Sequence, residues 1–167
     1  MRPQTENVLR YLKDFFPQGP WALTAIHTDR SGPVTRTFGP DTATDMQAWV
    51  EDKNLDNHNL YYHVGVINKE LNQSNAQLGD IDKVIWLHVD IDPAGGVDPE
   101  ICRQQAIEVL KAGKDGIPVP TVVVDSGGGV QAFWRLTEFI EIGGDIEKAE
   151  SAKRHNQRLE VVFGADN

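Results

Sequence analysis

Apolar residues recur at helical spacing through Asn7-Val-Leu-Arg-Tyr-Leu-Lys-Asp-Phe-Phe16, behind Thr5, and Pro17 with Gly19-Pro20 closes the run. A first helix is predicted there. Two short β-rich runs, Trp21 to Thr28 and Val34 to Phe38, flank the turn-rich Asp29-Arg-Ser-Gly-Pro33 and predict a hairpin. Asp41 or Thr42 can cap a helix through about Lys53, with Met46, Trp49 and Val50 on its apolar side. Leu60 to Ile67 predicts a third strand, and the polar stretch from Asn68 to Asp80 a loop with room for one helical turn. A loop of that length inside a compact domain tends to be functional.

Val84 to Ile91 is strongly apolar and predicts a buried strand. Pro99 to Ala112 predicts a helix, since Pro and Glu100 both favour a first turn. Thr121 to Val124 and Val130 to Leu136 predict two strands joined by Asp125-Ser-Gly-Gly-Gly129, and Asp145 can cap a last helix that runs to about Phe163 before Gly164. Helices and strands are interspersed, yet hairpins break a strict strand-helix-strand alternation. The fold class predicted is α+β, a mixed β-sheet with flanking helices. With no repeat, low-complexity tract or linker, residues 1–167 read as a single domain.

Composition narrows the setting. The chain is 40% hydrophobic and 25% charged, as in a globular protein. Its one cysteine, Cys102, falls inside a predicted helix, so neither a disulfide framework nor a zinc cluster is expected, and a reducing, cytoplasmic location follows as an expectation. The start Met1 to Asn7 is polar and every apolar run is short, so neither an export signal nor a membrane span is expected. A net charge of −9 runs against nucleic-acid binding, which needs clustered cations. Lys148, Lys153, Arg154 and Arg158 gather on the last helix and offset this in part.

Candidate chemistry begins at His88-Val-Asp-Ile-Asp-Pro93. Side chains alternate along a strand, so Asp90 and Asp92 share one face while Leu87, Val89 and Ile91 take the other. Two converging carboxylates suit Mg²⁺ or Mn²⁺, which in pairs can drive an in-line phosphoryl displacement. The same two acids could instead lie on a solvated strand end. His88 shares their face, either as a further ligand or as a hydrogen-bonded packing residue. After Ser126, the glycines Gly127, Gly128 and Gly129 allow positive φ and close backbone approach, which serves a phosphate cradle or a plain tight hairpin equally. Beyond them Gln131, Phe133 and Arg135 fall on one face of the strand.

Val89-Asp-Ile-Asp-Pro93, Ser126-Gly-Gly-Gly-Val-Gln-Ala-Phe-Trp134 and Phe163-Gly-Ala-Asp166, in that order and spacing, resemble the archaeo-eukaryotic primase superfamily. The likeness is to the primase-polymerase domains of phages, plasmids and mobile elements. Asn59-Leu-Tyr-Tyr62, Val66-Ile-Asn68 and Gly79-Asp-Ile81 look like the segment that precedes the acidic pair in that family, so the likeness runs from about Asn59 to the end. It implies an RNA-recognition-motif-like catalytic sheet with an αβ unit packed beside it. Asp90, Asp92 and Asp166 would be the catalytic metal ligands for Mg²⁺ or Mn²⁺. Ser126, Gly127, Gly128, Gly129 and Gln131 would bind the nucleotide, with Arg135 and Lys69 as candidate phosphate contacts.

The implied activity is DNA primase or DNA polymerase chemistry, a nucleotidyl transfer from nucleoside triphosphates directed by a single-stranded DNA template, in replication and beside a fused or associated helicase. Two departures bear on it. The family commonly has histidine where this chain has Gln131, and its members continue past the third acid with an arginine- and proline-containing segment, so a truncation after Asn167 is expected. Three rival readings stay open: a weakened or inactive replication-associated module that binds nucleotide or DNA, another metal-dependent phosphotransferase or nuclease, and a domain whose acids are structural.

Overall fold

The computed structural model describes residues 5–17, 19–29, 32–67, 70–72, 76–93, 95–126 and 128–165. The fold is α+β, with four α-helices and two antiparallel sheets among the described residues. The chain divides into two compact units, one formed by residues 1–83 and 141–146, the other by 84–140 and 147–167.

In the first unit, strand β1 (Trp21–His27) is central and pairs antiparallel with β2 (Val34–Phe38) and β3 (His58–Tyr62). Helices α1 (Thr5–Phe15) and α2 (Ala43–Leu55) belong to the same unit. Their apolar stripes supply Leu12, Phe15, Met46 and Val50 to the core, which also takes Trp21, Leu23, Ala25 and Phe38. Burying each aliphatic side chain contributes about 1.5–3 kcal/mol. The indole N–H of Trp21 donates to the Phe16 carbonyl at 2.9 Å, so the turn after α1 is tied to the sheet.

A short 3₁₀ turn at Pro40–Thr42 precedes α2, and the Thr42 hydroxyl accepts the Gly39 amide at 2.8 Å instead of a helix amide.

The single strand expected over Leu60 to Ile67 is two. β3 ends at Tyr62, and Val66–Ile67 form a separate strand β4 that pairs with the start of β5 (Ile81–Ile91) through Val66↔Lys83 and Ile67↔Ile81. The break falls at His63-Val64-Gly65, where glycine weakens a strand interior and a neighbour comes close: a Cβ on Gly65 would lie 3.4 Å from the Ile81 side chain. The loop expected to follow holds one 3₁₀ turn, Leu78–Asp80, while its Asn68, Lys69 and 73–75 lie outside the described residues.

In the second unit, β6 (Val122–Asp125) and β7 (Val130–Glu141) form an antiparallel hairpin, and β5 lies beside β7 in the order β5-β7-β6. Helix α3 (Pro99–Ala112) starts where Asp98 accepts the Glu100 amide at 2.8 Å and ends at Gly113, whose φ is 72°. A Cβ on Gly113 would meet the Ile117 carbonyl at 2.9 Å, so glycine is required there twice over. Helix α4 (Ile146–Phe163) ends at Gly164, φ 70°. Leu110 and Leu159 of the two helices pack with Val89, Val130, Ala132 and Trp134. The helices thereby cover one face of the β5–β7 pair and leave the alternate residues to the other face.

Candidate acidic site at the end of strand β5

On that other face, side chains of β5 and β7 meet in antiparallel order. The Arg135 guanidinium carbon lies 5.9 Å from the Trp86 ring centroid. The His88 and Phe133 rings stack at 6.0 Å. The Gln131 amide donates to Asp90 Oδ2 at 3.0 Å. At the strand end, a Cβ on Gly129 would lie 2.9 Å from Asp92 Oδ1 and 2.6 Å from the Ile91 carbonyl. Each step of two residues back along β5 is matched by two forward along β7, which sets Asp90 opposite Gln131; Asp92 lies just past the end of β5, beside Gly129, and lines a cavity with Cys102 and Ala106 of α3.

Both acids are exposed, and among the described residues neither is paired with Lys or Arg. Gly129 is the place where the glycine hairpin touches them. It does not have the positive φ anticipated for this run, and neither does Gly128. Its role is steric: any side chain would strike the backbone of β5 and the Asp92 carboxylate.

The hairpin turn is closed from within. The Ser126 hydroxyl donates to the Gly129 carbonyl and accepts the Gly129 amide, both at 3.0 Å, and the Ser126 amide donates to the same carbonyl at 3.1 Å. Ser126 therefore sets the loop geometry, while Gly128 is exposed with open space around it. Gly127 lies outside the described residues.

His88 is a packing residue. Its backbone amide donates to Asn156 Oδ1 at 3.1 Å, and the Asn156 amide donates to its Nδ1 at 3.2 Å, which leaves the ring proton on Nε2. Burial holds the imidazole below its ordinary pKa, with the Asp90 charge acting in opposition, so the ring is neutral near pH 7.

Arg135 is exposed, four residues along β7 from Gln131, a rise of about 13 Å. The cations Lys148, Lys153, Arg154 and Arg158 are exposed on α4, whose Ala149, Ala152 and Leu159 are buried. Asp166 lies outside the described residues, as does Lys69. Phe163 and Gly164 line a cavity of about 240 Å³ together with Asp92 and with Cys102 and Ala106 of α3.

Two features escaped the sequence reading. Arg103 of α3 reaches Asp125, the residue before the hairpin turn, at 3.4 Å and also pairs with Glu100. A separate group of potential metal ligands, His27, Asp56 and His58, assembles in the first unit. Both depend on contacts between distant segments. Glu100 and Arg103 sit at i, i+3 spacing, a local hint that this cation is anchored on α3.

Comparison with protein-family models, with curated proteins and with solved structures found no match to this chain. Among the described residues no helix is long and apolar enough to cross a membrane.

Proposed function

We propose that this chain is a primase-polymerase-type nucleotidyltransferase core, which acts in the cytoplasm on nucleoside triphosphates and a single-stranded DNA template. The observation that carries the reading is the side-by-side placement of Asp90 against Gln131 and Asp92 against Gly129 of the glycine hairpin. Two exposed carboxylates two residues apart repel each other, and a divalent ion held by hard oxygens removes that repulsion. The donor set therefore fits Mg²⁺ or Mn²⁺, held by Asp90 and Asp92 with Asp166 as the third acid that the resemblance implies. Such ions, when bound, lower the pKa of an attacking hydroxyl and stabilise a leaving pyrophosphate.

The chain's own residues do the positioning. Gln131 holds one Asp90 oxygen through its amide, which orients the carboxylate. Gly129 leaves room for Asp92 against the backbone of β5, and the exposed Gly128 lets a phosphate approach the turn. An antiparallel β5-β7-β6 sheet covered by α3 and α4 also supports the RNA-recognition-motif-like core that the resemblance implies.

One observation favours a second reading, a weakened or inactive nucleotide- or DNA-binding module: Gln131 is neutral, and its amide is already engaged by Asp90. Incorporation of labelled nucleotide onto a primed single-stranded template with Mn²⁺ separates the two. The polymerase reading expects product from the wild type and none from Asp90→Ala or Asp92→Ala. Nucleotide binding without product supports the module. Cleavage of the DNA with no nucleotide added would indicate a nuclease and overturn the proposal.

A further inference from the structure

The first unit carries a second constellation of ligand atoms, of a different chemical kind. His27 is the last residue of β1 and stands directly opposite His58, the first residue of β3. Their rings meet edge to face at 4.9 Å. Asp56 is the C-cap of α2, two residues before His58, and its amide donates to the Asp52 carbonyl at 3.1 Å. Between them Asn57 adopts φ 53°, a left-handed conformation that asparagine tolerates, and its carbonyl accepts the Thr28 amide at 3.2 Å. Helix end, turn and two paired strands thus fix the backbones of all three residues. One ligand atom from each lies within 4.8 Å of the others.

We propose that His27, Asp56 and His58 bind a borderline transition-metal ion of the Zn²⁺ class. His58 presents Nδ1 to Asp56: that nitrogen lies 3.7 Å from Asp56 Oδ2 and 2.9 Å from the Asp56 carbonyl, so it is the atom placed to share an ion with the carboxylate, the ring proton moving to Nε2 through solvent as the ion binds. His27 Nδ1 accepts the Asp29 amide at 2.9 Å, and because Asp29 is exposed, water satisfies that amide when the His27 ring turns toward an ion.

The His58 side chain is 8% exposed and that of Asp56 49%, so the site has one sheltered and one open side. Zn–N distances of about 2.0 Å put tetrahedral ligand atoms about 3.3 Å apart, which side-chain rotation reaches from the observed cluster. Three protein ligands leave a fourth position for water, and two imidazoles distinguish this site from the all-carboxylate end of β5. Its effect is to join α2, β1 and β3 at one point of the first unit.

The test is calorimetric titration of the full chain with Zn²⁺ alone, in an Asp90→Asn/Asp92→Asn/Asp166→Asn background that removes the other candidate ligands. One ion per chain is expected, with affinity at least tenfold weaker in His27→Ala and in His58→Ala and an intermediate loss in Asp56→Asn. Should a variant fail to fold, Co²⁺ added to the wild type gives a second measurement: proton resonances of the His27 and His58 rings shift, and those of His88 and His155 do not. No uptake, uptake indifferent to the two histidines, or shifts centred on other histidines each overturn the assignment.

Discussion

Gly129→Ala is the most informative single substitution in this chain. The added methyl would stand 2.6 Å from the Ile91 carbonyl oxygen, 2.9 Å from Asp92 Oδ1 and 3.3 Å from Asp92 Cα. Ordinary contact begins near 3.4 Å, so the backbone of β5 must retreat by about 0.8 Å at Ile91, the residue before the second acid. Overpacking of this kind costs about 1–3 kcal/mol, against which alanine regains about 0.4–1 kcal/mol by restricting the unfolded chain. A net destabilisation of about 1–2 kcal/mol is expected in urea unfolding. A displacement near 1 Å beside a catalytic group lowers activity by about 100-fold, so under the proposed function Mn²⁺-dependent nucleotide incorporation should fall far more than stability.

Gly128→Ala is the control, because a Cβ there meets nothing within 4 Å and its φ is not positive. Gly128→Ala should stay within about 0.5 kcal/mol of wild type and keep its activity. Equal behaviour of the two variants in both assays would refute the steric account of the hairpin.

Three further outcomes are expected. Leu110→Ala removes a fully buried side chain from the second unit's core and should cost about 2–5 kcal/mol by denaturant titration. Burial depresses the pKa of both His63 and His88, so the folded protein binds fewer protons than the unfolded chain. Stability should then be complete above about pH 6.5 and fall with decreasing pH toward the depressed values, by at most about 1.4 kcal/mol per pH unit for each histidine, with a shallower slope in His63→Gln or His88→Gln. Asn156→Ala strips two hydrogen bonds from His88 and leaves its amide unmet, so a loss of about 1–3 kcal/mol is expected in the same titration.

The elements that local pattern determines were the legible ones. Helix α3 was legible from Pro99 and Glu100 in its first turn, and β5 from its apolar run Val84 to Ile91, although pairing with β4 starts the strand earlier, at Ile81. The glycine run announced the β6–β7 turn. Strand alternation also put His88 and Asp90 on one face. What local pattern could not carry is pairing between distant segments. Leu60 to Ile67 reads as one apolar strand, yet its two halves join different sheets. β7 runs on to Glu141 because main-chain pairing sustains it past Leu136, where Thr137, Glu138 and Glu141 blur the alternation. The reason for glycine at Gly129, the Gln131–Asp90 hydrogen bond and the meeting of His27 with His58 are likewise properties of the assembled sheets.

Titration of the full chain with Mn²⁺, followed by the electron paramagnetic resonance of the free ion, tests the central claim most directly: the end of β5 is a divalent-metal site. In the presence of a nucleoside triphosphate the wild type should take up Mn²⁺, Asp90→Asn and Asp92→Asn should each lose that uptake, and Glu138→Gln, an exposed acid elsewhere on β7, should retain it. Uptake that is identical in all four proteins would contradict the account.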